Sequence, residues 1–242
     1  MYQQKVGIIG GFGAYATLNF YKRILEVFAS ENERNYPHIV MDNNFTMPSR
    51  TRALLYDEEY DAVVLGIAAS VKEMLRQDVD RIILVCGTAH YFLEDVYKIV
   101  PQAKERVLNI IDILGRNLQE QKKTDALVIA AEGALSKEVY PTILSPYGIS
   151  CINPTSEYYE EIRYFIECVK QNKLNKEVAI RFIEFVEGFP SYNVILGCTE
   201  FPILVSYIRD ECLDEKVRER WERIHFFDPL EMVIRHLKQV LI

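Results

Sequence analysis

Two cysteines, Cys86 and Cys198, stand in matching contexts. Each ends a short apolar run, residues 82–85 in one case and 194–196 in the other. Each is followed closely by a threonine, in Cys86-Gly87-Thr88 and in Gly197-Cys198-Thr199. Apolar runs of this length bounded by turn residues read as buried strands. Ligands in open α/β sheets gather at the carboxyl ends of strands, where helix N-termini point. Two thiols placed there suit one chemistry in particular. One acts as a thiolate base and removes a proton from a carbon, and the other acts as a thiol acid and returns a proton to the opposite face. A single cysteine at the end of a strand is ordinarily packing, so the matched pair carries the functional reading. Cys151, Cys168 and Cys212 have no such context and read as packing or surface residues.

The elements that must hold this pair follow from the pattern of the chain. Residues 5–10, KVGIIG, read as a buried strand that runs into Gly10-Gly11-Phe12-Gly13 and then a helix over about 14–30. Glycines there let backbone approach a ligand and present N–H groups to an anion. Their positions, 7, 10, 11 and 13, do not fit the G-x-G-x-x-G dinucleotide fingerprint. A strand at 38–43 precedes a loop carrying Pro48, Ser49, Arg50, Thr51 and Arg52. The pattern predicts a helix at 57–77, the Cys86 strand, a helix at about 90–100, a short strand at 106–110 and a helix at 111–121. Residues 126–131, ALVIAA, repeat the character of the first strand, with Gly133 in the turn after them. A helix at 137–144, a strand at 149–152 and helices at 156–171 and 175–187 lead to the Cys198 strand. A helix at 201–210, a strand at 225–227 and a closing helix at 229–240, with Pro229 in its first turn, complete the chain.

This order predicts an internal duplication: an α/β fold of two pseudo-symmetric Rossmann-like lobes with largely parallel sheets and a site in the cleft between them. Residues 1–109 with 211–242 are expected to form the first lobe, carrying Cys86. Residues 110–210 are expected to form the second, carrying Cys198.

Composition narrows the partners. The chain has 242 residues, 49% of them hydrophobic and 26% charged, a globular balance with ample length for two lobes. A net charge of −7 argues against nucleic acid. No run reaches transmembrane length, and the first apolar run is too short for a secretory signal. Five cysteines without CxxC spacing argue against a disulfide framework and a zinc site. A cytoplasmic setting is expected, with no membrane partner, no metal and no cofactor; no pyridoxal-binding lysine motif stands out.

Four motifs, GGFGAYAT at 10–17, PSRT at 48–51, CGTAH at 86–90 and GCTEFP at 197–202, resemble the aspartate/glutamate racemase superfamily in order and spacing. The likeness covers nearly the whole chain and is nearest to the aspartate racemase branch. It implies a cofactor-independent amino-acid racemase acting on aspartate, glutamate or a related amino acid, with Cys86 and Cys198 catalytic, and a homodimer. Departures from the family pattern fall at Phe12, Ala14 and Tyr15, at Gly87 where asparagine is usual, and at Ala131 and Ala134, which flank Glu132 where threonines are usual. They bear on which substrate is recognised and leave both thiols in place.

Substrate contacts are expected from Gly11, Phe12, Arg50, Gly87, Thr88, Thr199 and Glu200. Arg50 matches the family's arginine and would grip a carboxylate with its planar fork; a solvated loop charge is the plainer reading, and Arg52 is the rival. Thr88 and Thr199 serve equally as helix caps. His90 is either a partner of the site or a helix N-terminal residue. Glu200 would orient a substrate amine, tune the thiol, or only favour a helix dipole. Two other activities fit the same superfamily: an isomerase or decarboxylase on a small dicarboxylate, and a binding protein that has lost turnover.

Overall fold

The computed structural model describes residues 4–29, 32–213 and 215–241. The first half runs β1 (Lys5–Gly10), α1 (Ala14–Val27), β2 (His38–Asn43), α2 (Arg50–Tyr56), α3 (Tyr60–Arg76), β3 (Arg81–Leu84), α4 (Leu93–Ile99) and α5 (Ile110–Glu120). The second half runs β4 (Asp125–Ile129), α6 (Glu132–Ser136), α7 (Val139–Leu144), β5 (Ser150–Ile152), α8 (Tyr159–Lys170), α9 (Lys176–Glu187), β6 (Asn193–Leu196), α10 (Phe201–Tyr207), α11 (Glu215–Trp221), β7 (His225–Phe227) and α12 (Pro229–Val240).

Both sheets are parallel, with order β2-β1-β3 in the first and β5-β4-β6-β7 in the second. Buried parallel strands are covered on both faces, which is why they read as unbroken apolar runs. In each half the opening strand is central, and the strand that leads to a cysteine lies beside it. Val107 makes an isolated parallel bridge to Ile82, in the place that β7 takes beside β6. The duplication therefore extends to the last strand of each half, shrunk to one residue in the first. The short strand expected at 106–110 is corrected accordingly. Asn109 has an extended backbone, and its side chain accepts from the backbone N–H groups of Ile111 (3.0 Å) and Asp112 (3.1 Å), starting α5.

The placement of residues 211–242 with the first lobe is also corrected. β7 pairs with β6, so this part of the tail belongs to the Cys198 sheet. Only the closing helix returns. α12 packs on α5 and on α1, where Arg23 is ion-paired with Asp228 (2.5 Å) and with Glu231. The core follows the same plan. Ile9, Ile82 and Leu84 face α3 and α4, whereas Val6, Ile8, Ile83 and Val85 face the other way and join one continuous core with the second sheet, α5 and α12.

Candidate active site

The carboxyl ends of β1, β3, β4 and β6 converge on a cavity of about 240 Å³, small enough to suit a single metabolite. Cys86 and Cys198 both line it, and both are half-buried free thiols. Phe12, Arg50, Gly87, Thr88, Thr199 and Glu200 line it too. Gly11 does not. Its φ is +84°, and a Cβ there would lie 2.1 Å from the backbone oxygen of Asn44. The glycine is required by a close approach of two loops, not by a ligand. Arg52 is excluded as well: its side chain is 64% exposed and pairs with Glu58.

The two cysteine turns touch each other. A Cβ on Gly87 would lie 2.3 Å from the Tyr140 hydroxyl and 2.6 Å from the Gly197 carbonyl oxygen. Buried Tyr140, from α7, donates that hydroxyl to Gly197 O at 2.9 Å. Burial and the two neighbouring thiols push its pKa well above the ordinary value, so it stays a neutral donor.

Arg50 lies at the start of α2, where a loop had been expected. Ser49 caps this helix by accepting from Arg52 N at 3.3 Å. The guanidinium donates to Pro48 O (2.7 Å) and Phe12 O (2.9 Å) and lies over the Phe12 ring at 4.9 Å. Its Nε is buried without a partner. Backbone carbonyls thus fix a positive charge at the cavity wall.

At Cys198 the surroundings oppose the thiolate. Burial, then the charge and hydrogen bond of Glu200, push the thiol well above its ordinary value. The Cys198 Sγ donates to Glu200 Oε2 at 3.0 Å, and Thr199 Oγ1 donates to the same oxygen at 3.3 Å. Cys198 is therefore held as a thiol. Neither threonine caps a helix; Glu200 itself occupies the N-cap position of α10.

His90 holds the Cys86 turn from behind. Its Nδ1 lies 2.9 Å from Cys86 O, and Ile110 N donates to Nε2 at 3.3 Å. A carbonyl only accepts and an amide N–H only donates, so the ring is neutral with its proton on Nδ1. Burial lowers its pKa from 6.5 to about 4. Between those values the unfolded chain binds the extra proton. The contribution of the neutral ring is complete above pH ~6.5 and is lost as pH falls through ~4, a difference of about 3 kcal/mol. Denaturant titrations at pH 7 and pH 4 should show His90→Gln, which keeps one donor and one acceptor without titrating, to be less acid-sensitive than the wild type by a measurable part of that amount. Equal acid sensitivity would remove His90 from the account.

Sequence reasoning missed the wall supplied by α8. Arg163, Glu167 and Lys170 line the cavity from one face of this helix, at spacings of four and three residues. That charged stripe was visible in the sequence, but nothing there said that it faced the thiols. Burial works against the charge of Lys170, yet Glu200 and Glu167 outweigh it and raise its pKa. Glu132 from α6 also lines the cavity and is ion-paired with Arg163 at 2.5 Å. Among the described residues no group of three His, Cys, Asp or Glu side chains is arranged to hold a metal ion. No helix among them is long and apolar enough to cross a membrane.

Comparison with known proteins gives a consistent picture. The Asp/Glu/Hydantoin racemase family profile matches residues 9–237. The broad specificity amino-acid racemase RacX of Bacillus subtilis is 22% identical over 212 residues, covering 85% of this chain and 89% of that protein. Among solved structures, the Picrophilus torridus aspartate racemase superposes with a TM-score of 0.78 at 24% identity, covering 98% of this chain and 94% of the other. Glutamate racemase from Francisella tularensis, in complex with D-glutamate, gives 0.67 at 16% identity, covering 98% and 81%.

Proposed function

This chain belongs to the Asp/Glu/Hydantoin racemase family, and we propose that it interconverts the enantiomers of an amino acid with Cys86 and Cys198 as paired acid and base on opposite faces of Cα. Membership makes it a cofactor-independent racemase. The observation that carries the two-thiol reading is the pair of half-buried sulfhydryls lining one cavity at the ends of equivalent strands. In one direction a Cys86 thiolate removes the α-proton and the Cys198 thiol supplies a proton to the opposite face. In the other direction the roles exchange. A cofactor-independent racemase has no electron sink, so charge developing on the carboxylate and Cα must be met by fixed groups. Arg50 and Lys170 are suited to the carboxylate, together with backbone N–H groups of the turns after each cysteine.

Glu200 is suited to the substrate ammonium. A cation arriving there offsets the carboxylate that holds the proton on Cys198, and so eases its release to the substrate. Matched acid–base transfer supplies about 10²–10⁴-fold, and positioning and electrostatics supply the rest. The test is incubation of single enantiomers of a panel of amino acids in D₂O, followed by chiral chromatography and mass spectrometry. Inversion with one deuterium incorporated at Cα supports the reading. Decarboxylated product, or binding without inversion across the whole panel, would replace it with the lyase or binding-protein alternatives.

A homodimer is proposed as well. Leu18, Phe45 and Leu65 are large apolar side chains left about 60% exposed, and covering such surface favours association. Sedimentation should give twice the 28.2 kDa chain mass; a monomer at micromolar concentration would refute it.

A further inference from the structure

The cavity carries more charge than an amino acid's two α-substituents need. Three cations, Arg50, Arg163 and Lys170, and three carboxylates, Glu132, Glu167 and Glu200, line it. If Arg50 and Lys170 meet the α-carboxylate and Glu200 meets the ammonium, the wall between α6 and α8 is left to the substrate side chain. That wall is Glu132 with Arg163.

The two members of this pair are not equivalent. The Glu132 side chain is 11% exposed and that of Arg163 is 60% exposed. Glu132 is held where α6 packs on α2: a Cβ on its neighbour Gly133 would lie 2.9 Å from Thr51 Cα. Arg163 reaches it from the solvent side. Its Nε (2.6 Å) and Nη2 (2.5 Å) both land on Glu132 Oε1, which leaves Oε2 without a guanidinium partner. The fixed charge on this wall is negative, and the positive one is free to swing into water.

We infer that Glu132 selects the substrate side chain, and that the site takes amino acids whose side chains end in a hydrogen-bond donor without negative charge, cationic ones best. This inference rests on the amino-acid reading of the cavity given above. An amide or hydroxyl donates to Glu132 Oε2 with Arg163 in place. An ammonium or guanidinium does the same and can replace Arg163 altogether. A dicarboxylate adds a negative charge beside a buried carboxylate, and the cation paired with that carboxylate, Arg163, is already offset.

The test compares isosteric pairs, glutamine with glutamate and asparagine with aspartate, and lysine with norleucine. Binding is measured by calorimetry and racemisation by chiral chromatography. The amide is expected to be favoured at least tenfold over its acid in both Kd and kcat/KM, and lysine over norleucine. Hydrogen bonds to a charged group support a loss of roughly ten- to a hundredfold in the lysine preference for Glu132→Gln. Arg163→Ala exposes Glu132 and should move the ratio the other way, raising the lysine preference and weakening glutamate further. Glutamate or aspartate bound as tightly as its amide would overturn the inference, as would a Glu132→Gln protein with unchanged ratios. Selective binding of donor-ended amino acids with no inversion of any of them would overturn the racemase reading and leave the selectivity of Glu132 standing.

Discussion

Cys86→Ser and Cys198→Ser should each abolish racemisation in both directions, by about 10³-fold or more, because every turnover needs both an acid and a base. Serine keeps the shape, but its hydroxyl is far less acidic than a thiol. The two variants should differ in a narrower measurement. With one thiol left, the enantiomer whose Cα–H faces it can still lose that proton and regain deuterium on the same face. NMR of α-proton washout in D₂O should therefore show exchange without inversion for one enantiomer in one variant and for its mirror image in the other. Burial and Glu200 hold Cys198 as a thiol, so the washout measurement also identifies which enantiomer presents its Cα–H to each sulfur. Full racemisation by either single variant would show that one base suffices.

Gly87→Asn should be the most damaging single change outside the two thiols. Any Cβ at this position meets the Tyr140 hydroxyl at 2.3 Å and the Gly197 carbonyl at 2.6 Å. The second contact is backbone and cannot rotate away. Overpacking of this kind costs about 1–3 kcal/mol for a methyl group, and a larger side chain costs more. For a chain of this size the melting temperature should fall by roughly 5–10 °C. Activity should fall with it, because the strain lies between the turns that carry the two sulfurs. Tyr140→Phe removes only the first contact, so Gly87→Ala combined with Tyr140→Phe should recover part of the stability and not all. Thermal melts of the three variants decide this; a Gly87→Asn protein as stable as the parent would mean that the turns separate freely.

Gly87 also shows where reading the chain alone stopped. In the sequence it stands as a missing side-chain amide. In the fold the room is filled by Tyr140, 53 residues away in the other half. The central strands were legible because β1, β3, β4 and β6 are buried on both faces and so written as apolar runs. The site's place at strand ends followed from that. What stayed hidden depended on local chemistry competing with pattern, or on contacts across the halves. Residues 106–110 carry enough apolar character for a strand, but Asn109 spends its side chain on starting α5. Arg50 looked like loop because Pro48 and Ser49 precede it, and these instead introduce and cap α2. Gly11 looked like a ligand contact, because a glycine needed for backbone packing and one needed for a ligand are written alike. The charges of α8 stand in the sequence as a stripe at helical spacing, and only the fold turns that stripe toward the thiols.

The core that runs from one face of the first sheet, through α5 and α12, into the second sheet bears on how the molecule comes apart. A gene duplication is often pictured as two modules that each fold alone. Here each half leaves apolar surface that only the other covers, and the last helix of the chain is ion-paired to the first. Neither residues 1–120 nor residues 121–242 should fold in isolation, and the whole chain should melt in a single calorimetric transition.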